Sequence, residues 1–381
     1  MHPNLTHWPV NWNAGMKLSK DHLLAADNAQ RDQVRDLTAL LVTSGTYGLV
    51  PDAETPLQLT LEPDHVVVSR CRGVTAGGYR IEFDAQRTGD SRGEALRLPL
   101  SPLREQWTRE KAASGYVMVS VNPFDQQPHG QPDPAELPLR YPHSQPTYAL
   151  SVLTDALLPT SPTGATALPV ARLRFAEGRF WLDDDYVPPC RETGAWGALR
   201  AYHGQLGGRL DKLTTSTAAV VNRVRSQART AQANLLAASI GFLAEGLLRV
   251  LGDQLDRYTR YGLEEPPRQM VDLAVQLART FRIAILCTPD AERDTMFNYF
   301  KNWCNIAPAD LQTGIDHLLL TEYHHADARP ALLAVDRCVD RLVELFAKLS
   351  ELNYVEKNRE TIYKEREEVT QEPPRRNRIW G

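Results

Sequence analysis

The chain changes its hydrophobic period at Pro188-Pro189-Cys190, and no other feature limits its folding as much. Before this point the sequence reads in twos, as short alternating strands interrupted by Gly and Pro. Beyond it, apolar residues recur every three or four positions: Leu199, Tyr202, Leu206, Leu210, Leu213, Thr217, Val220, Val224, Ala228, Ala231, Leu235, Ala238 and Phe242. Read as one continuous helix over about 195–260, this stripe would run roughly 90 Å at 1.5 Å per residue. A small β-domain cannot cover so long a face. The stripe therefore predicts burial by other helices, from this chain or from copies of it. The two halves predict an α+β multidomain chain: an N-terminal β-sandwich over 1–190, a long-helix bundle over 191–354 and a charged, partly disordered tail over 355–381.

Composition narrows the functional classes. With 381 residues the chain has room for two or three domains. A net charge of -4 gives it no general attraction for nucleic acid or an anionic membrane surface. Its 5 cysteines (Cys71, Cys190, Cys287, Cys304 and Cys338) are scattered and form no CxxC pair, which predicts reduced thiols and a cytoplasmic setting. The first residues lack a basic patch followed by an apolar stretch, so no signal peptide is expected. No run of about 18 apolar residues occurs, so no bilayer-spanning segment is expected.

Along the chain, residues 18–42 read as a helix. Leu23, Ala26, Gln30, Val34, Leu37 and Leu41 share one face, and Ser19 or Asp21 can cap the start. Strand signals follow at 57–61, 79–83, 96–100, 116–121, 148–152 and 170–175, with Glu177-Gly178 as a hairpin turn. The Pro-, Gln- and His-rich stretch 122–147 reads as a long surface loop. Beyond Glu264-Glu265-Pro266-Pro267, further helices are predicted over about 267–287, 290–304, 308–325 and 328–354.

Searching for chemistry mostly excludes it. The chain has no phosphate-cradling GxxxxGK[ST], no GxGxxG after a strand, no GxSxG and no HExxH. No catalytic residue, cofactor site or metal site is assigned. His317 and His324 would share a helical face and, with His325 and Asp327 nearby, could meet an ion, which is the basis of a metal-hydrolase alternative. The competing reading is a polar helix end, where imidazole suits the dipole. Asp183-Asp184-Asp185 lacks the spacing of a calcium loop and reads as a solvated turn. Cys190 has no local base and reads as a small buried side chain. Trp8 and Trp12 lie in an irregular N-terminal arm with no core of its own, so they must dock on this chain or on a partner.

Two stretches resemble TssK, the trimeric baseplate subunit of bacterial type VI secretion. In the first, Trp12, Gly15, Met16, Leu18 and His22 match the family's N-terminal W-x-x-G-M-x-L segment and the histidine after it. The second runs from Leu168-Pro169-Val170 through Phe180-Trp181-Leu182-Asp183 to Tyr186-Val187-Pro188-Pro189-Cys190, and is similar to the family's strand pair ending in Pro-Pro-Cys. A weaker echo lies at Tyr323-His324-His325-Ala326-Asp327 through Cys338. The resemblance implies a non-enzymatic structural protein whose β "shoulder" attaches to baseplate wedge proteins and whose helical "neck" builds a homotrimer. It places wedge contacts at Trp8, Trp12, Gly15, Met16, Leu18 and His22. It places the trimer seam at Leu206, Leu210, Leu213, Val220, Val224, Leu235 and Phe242, and a structural motif at Tyr186, Pro188, Pro189 and Cys190. The family's C-terminal "head" docks on a membrane-anchored complex. About 30 residues follow the helices here, too few for that head, so a divergent, head-less member is expected. Arg375, Arg376 and Arg378 are then the tail's contacts with a membrane-side partner. The same architecture would also suit a receptor-binding-like adaptor of a phage or another contractile particle.

Overall fold

The structure is a computed structural model, and it describes residues 4–86, 94–138, 140–155, 165–227 and 235–352. These residues form an α+β fold with eight α-helices and two antiparallel sheets. The chain divides into two compact units. The first holds Met1–Gly208, Gln254–Gln276 and His317–Arg337; the second holds Arg209–Asp253, Leu277–Asp316 and Cys338–Gly381. The first unit therefore takes in helical segments beyond Cys190 as well as the whole β region.

In the first unit, α1 (Lys20–Leu41) precedes β1 (Gly48–Leu49), β2 (Leu57–Leu61), β3 (His65–Val74), β4 (Arg80–Asp84) and β5 (Leu96–Pro99). β3 is the central strand, and all its pairings are antiparallel. β1 and β2 take one edge, while β4 and β5 lie end to end along the other. β3 is buried almost throughout, as its run of Val66, Val67 and Val68 demands. A short helix not foreseen from the sequence, α2 (Leu100–Glu110), follows β5 and buries Trp107 against Phe175 and Phe180.

The second sheet contains β6 (Ser114–His129), β7 (His143–Thr154), β8 (Ala167–Ala176) and β9 (Arg179–Leu182), in the order β7-β6-β8-β9. Glu177 and Gly178 both have positive φ, the geometry of a two-residue primed hairpin turn. Half of the stretch expected as a loop over 122–147 is instead strand, at 122–129 and 143–147. Pairing of β6 with β7 resumes after an irregularity between Asn122 and Gln126 and runs to His129 opposite His143. Prolines are tolerated there because a ribbon edge does not need their missing N–H.

Beyond β9, α3 (Gly197–Gln227), α4 (Leu235–Tyr261), α5 (Arg268–Cys287), α6 (Asp290–Trp303), α7 (Pro308–Leu320) and α8 (Arg329–Glu351) complete the fold. The expected single helix over 195–260 is corrected to two. In the second unit Val224 of α3 packs on Gly241 of α4, where an added side chain would fall 3.0 Å from Val224 Cγ1. Arg225 there pairs with Glu245 at 3.0 Å. In the first unit, His203 stacks on Tyr258 at 4.2 Å. One straight helix would hold Val224 and Gly241 about 25 Å apart. The two helices are antiparallel and cover each other's apolar faces. The core of the second unit includes Leu213, Val220, Leu243, Leu247, Leu277, Phe281 and Phe346. By length and composition α4 could cross a membrane. Its Ile240, Leu243, Ala244 and Leu247 are buried in the protein, as in a core helix.

Candidate partner-docking site

α1 starts where Ser19 Oγ accepts the His22 backbone N–H, which decides between the two caps, Ser19 and Asp21, that the sequence offered. Its packed face is then the reverse of the apolar one. The residues it buries are Ala29, Asp32, Arg35 and Ala39. Leu23, Val34, Leu37 and Leu41 are exposed, Leu37 at 64% and Leu41 at 79%. The helix seats closely because small groups meet at its packed face. Gly78 has positive φ, and a side chain there would strike the α1 backbone 2.5 Å from Ala39 N.

The buried charges fix the N-terminal arm. Asp32 is 1% exposed and accepts from three donors: the Thr6 and His7 backbone N–H groups, at 2.5 and 2.9 Å, and the Thr6 hydroxyl, at 3.1 Å. Its other oxygen accepts two bonds from Arg35, at 3.0 and 2.6 Å, and Arg35 also donates to the Asn4 carbonyl. Burial alone would raise the Asp32 pKa. The donors from His7, Arg35 and Thr6 outweigh it and hold the value near 2. His7 also meets Phe124 with ring centroids 4.1 Å apart.

The arm thus lies pinned along α1 with its aromatics outward. Trp8 is 73% exposed; Trp12 and Leu18 are also exposed, and Trp12 meets His22 edge-on. Gly15 is exposed with positive φ, while Met16 and His22 are half-buried. The arm residues of the motif and the outward face of α1 belong to one arm-and-helix element. The motif singled out the arm. Asp32 and Arg35, which hold it, were missed. The available signal was their spacing of three in register with Ala29 and Ala39, a polar face lined by small residues.

The Pro-Pro-Cys motif is buried at a strand crossing. Pro189 O accepts the Leu49 N–H at 2.8 Å, and Leu49 O accepts the Arg191 N–H at 2.9 Å. Gly48 is required at this crossing, because a side chain would fall 2.1 Å from Pro189 O. Cys190 is fully buried and its thiol pKa is pushed up by burial, the opposite of an activated nucleophile. The Tyr186 hydroxyl donates to Ala326 O at 2.8 Å.

The histidine cluster is not brought together as expected. α7 stops at Leu320, so His317 and His324 no longer share a helical face, and both are exposed. His325 is buried beside Tyr47 and Tyr323, and Asp327 pairs with Arg172 at 3.2 Å. Among the described residues, no group of three or more His, Cys, Asp or Glu side chains could hold a metal ion. Asp183 pairs with Arg174, and Asp185 with Arg329.

The expected trimer seam also needs correction. Leu206, Leu210, Leu213 and Val220 are buried within this chain, because α3 and α4 fold back on each other and share their stripe. Val224 is half-buried, and Leu235 and Phe242 remain exposed. Arg375, Arg376 and Arg378 lie outside the described residues, as do Ala228 and Ala231.

No family model matches the chain, and no curated protein matches it. Solved structures whose fold it is similar to include TssK structures. One is a crystal structure of TssK, with 16% identity, a TM-score of 0.48, 88% of this chain covered and 67% of that one. Another is the type VI secretion TssK-TssF-TssG baseplate subcomplex, with 15% identity, a TM-score of 0.45 and coverage of 89% and 100%. A third is a type VI secretion baseplate complex, with 15% identity, a TM-score of 0.49 and coverage of 88% and 99%.

Proposed function

We propose that this chain is a structural, non-enzymatic subunit of a contractile type VI secretion baseplate. It docks on wedge proteins, of the TssF and TssG kind, through its N-terminal arm and α1. The observation that carries this reading is the reversed helix. α1 buries an ion pair and presents Trp8, Leu23, Val34, Leu37 and Leu41 outward. An apolar patch made at that cost of burying charge marks a protein interface. The W-x-x-G-M-x-L and Pro-Pro-Cys motifs supply the system to which it belongs.

In this reading the two sheets form a sandwich shoulder and the helices form a neck. The neck builds a homotrimer through the exposed residues Leu235 and Phe242. The chain works on the cytoplasmic side, and its tail reaches a membrane-side partner. The test is co-purification of the full chain with the wedge proteins encoded beside it. Leu37→Asp combined with Trp8→Ala is expected to weaken that association at least tenfold while the melting temperature stays within about 2 °C. An unchanged complex would overturn the assignment of this surface.

A further inference from the structure

An open groove of about 1250 Å³ runs between α1 and the β6–β7 ribbon, within the first unit. One wall carries Val34 and Leu37 of α1; the other carries Pro123 and Pro146. Its floor is β4, whose outer edge carries no paired strand among the described residues. Among the described residues, β4 pairs only with β3. Residues along it alternate in the direction of their backbone groups. Ala85 N–H reaches back to Ser69 on β3, whereas the Glu82 N–H and C=O turn away and meet the Tyr148 hydroxyl, at 3.4 and 3.2 Å. By the same alternation, Arg80 and Asp84 also direct their backbone groups into the groove. A tyrosine hydroxyl thus stands at one rung of the ladder where a neighbouring strand would stand.

We infer that this groove receives an extended segment of a wedge protein, which adds to the sheet along β4. The inference rests on the docking role proposed above and names the mode of that docking. Three features select this occupant. The volume exceeds the usual 300–1,000 Å³ of a small-molecule site. The floor presents the Arg80 and Asp84 backbone groups at a strand's spacing, and at Glu82 an incoming strand would take the place of the Tyr148 hydroxyl, the means by which exposed edges recruit partner strands. The walls balance Arg31 and Arg80 against Asp27 and Glu82, which suits a segment of mixed or neutral charge rather than an anionic polymer. Apolar side chains on alternate positions of the segment would then face Val34 and Leu37.

The experiment uses the full chain and fluorescent 15-residue peptides tiled across the wedge proteins encoded with it. At least one peptide is expected to bind saturably and to compete with its parent protein. N-methylation of alternate backbone nitrogens in that peptide should weaken binding at least tenfold with every side chain retained. Val34→Glu should weaken it to a similar degree, and Leu320→Glu, exposed on α7 outside both the groove and the docking patch, should not. Hydrogen exchange of the Arg80 and Asp84 amides should slow in the complex. Whole wedge proteins that bind while no peptide does, or a methylated peptide that binds equally well, would overturn strand addition and leave the docking role standing. Wedge proteins that do not bind at all would overturn both.

Discussion

Two buried ionisable residues, Asp32 and His325, answer to their burial in opposite senses, and each leaves a pH signature. Asp32 has its pKa held near 2, against 3.8 when unfolded. Its stabilisation, on the order of 2 kcal/mol, is full above the unfolded value and is lost as pH falls through 2. Asp32→Ala also strands Arg35, so a loss of about 3 kcal/mol in urea unfolding is expected, with early protease cleavage of the arm. His325 behaves in the opposite sense. The Tyr47 carbonyl can only accept, so His325 Nε2 donates to it at 2.7 Å and Nδ1 accepts from the Tyr323 hydroxyl at 2.8 Å. Burial lowers its pKa to about 4, and the bond to Tyr47 opposes that only in part. The neutral ring is the folded form. Stability is therefore full above pH 6.5 and falls by about 3 kcal/mol as pH drops toward 4. Urea midpoints at pH 7 and pH 5 should differ clearly for the native chain. For His325→Gln the difference should shrink, from a lower starting stability at pH 7.

At the scale of elements, the sequence period showed which residues share a face but not what covers it. For α1, the extent, the Ser19 cap and the residues of the apolar face could all be read. The choice of packed face could not, because it depends on Gly78 and on an arm whose N–H groups need a carboxylate. For α3 and α4 the stripe continues from Leu199 to Phe242 in a single register, so the reversal left no mark on it. The β-strands were legible where alternation was clean, as at Leu57–Leu61, where the observed strand has the expected bounds. They were illegible where proline masks a ribbon edge, as at Pro128 and Pro146. α2 was missed because it opens directly from the alternating strand before it. The corrected burial separates two sets of apolar residues that look alike in the sequence. Leu213→Asp is expected to unfold the second unit, with loss of helical circular dichroism, since it places a charge at a fully buried site. Phe242→Asp should leave the spectrum intact and lower the mass measured by light scattering toward that of a single chain. A single-chain mass for the native protein would remove the trimer from the proposal.

For the molecule as a whole, sequence position and unit membership do not coincide. Tyr47 meets His325, Tyr186 meets Ala326, and Arg172 meets Asp327, all within the unit that contains both sheets. A fragment ending at Cys190 therefore leaves those partners unmet. We expect it to melt over a broad range, with dye binding at low temperature, whereas the full chain should melt in one or two sharp steps.

Contacts of that span also bear on biosynthesis. At typical elongation rates, on the order of ten seconds separate the emergence of Pro189 from that of His325. Throughout that wait Tyr47 and Tyr186 stand on the nascent chain without the His325 and Ala326 that meet them in the folded protein. Faster elongation between Pro189 and His325 shortens that exposure, and slower elongation prolongs it.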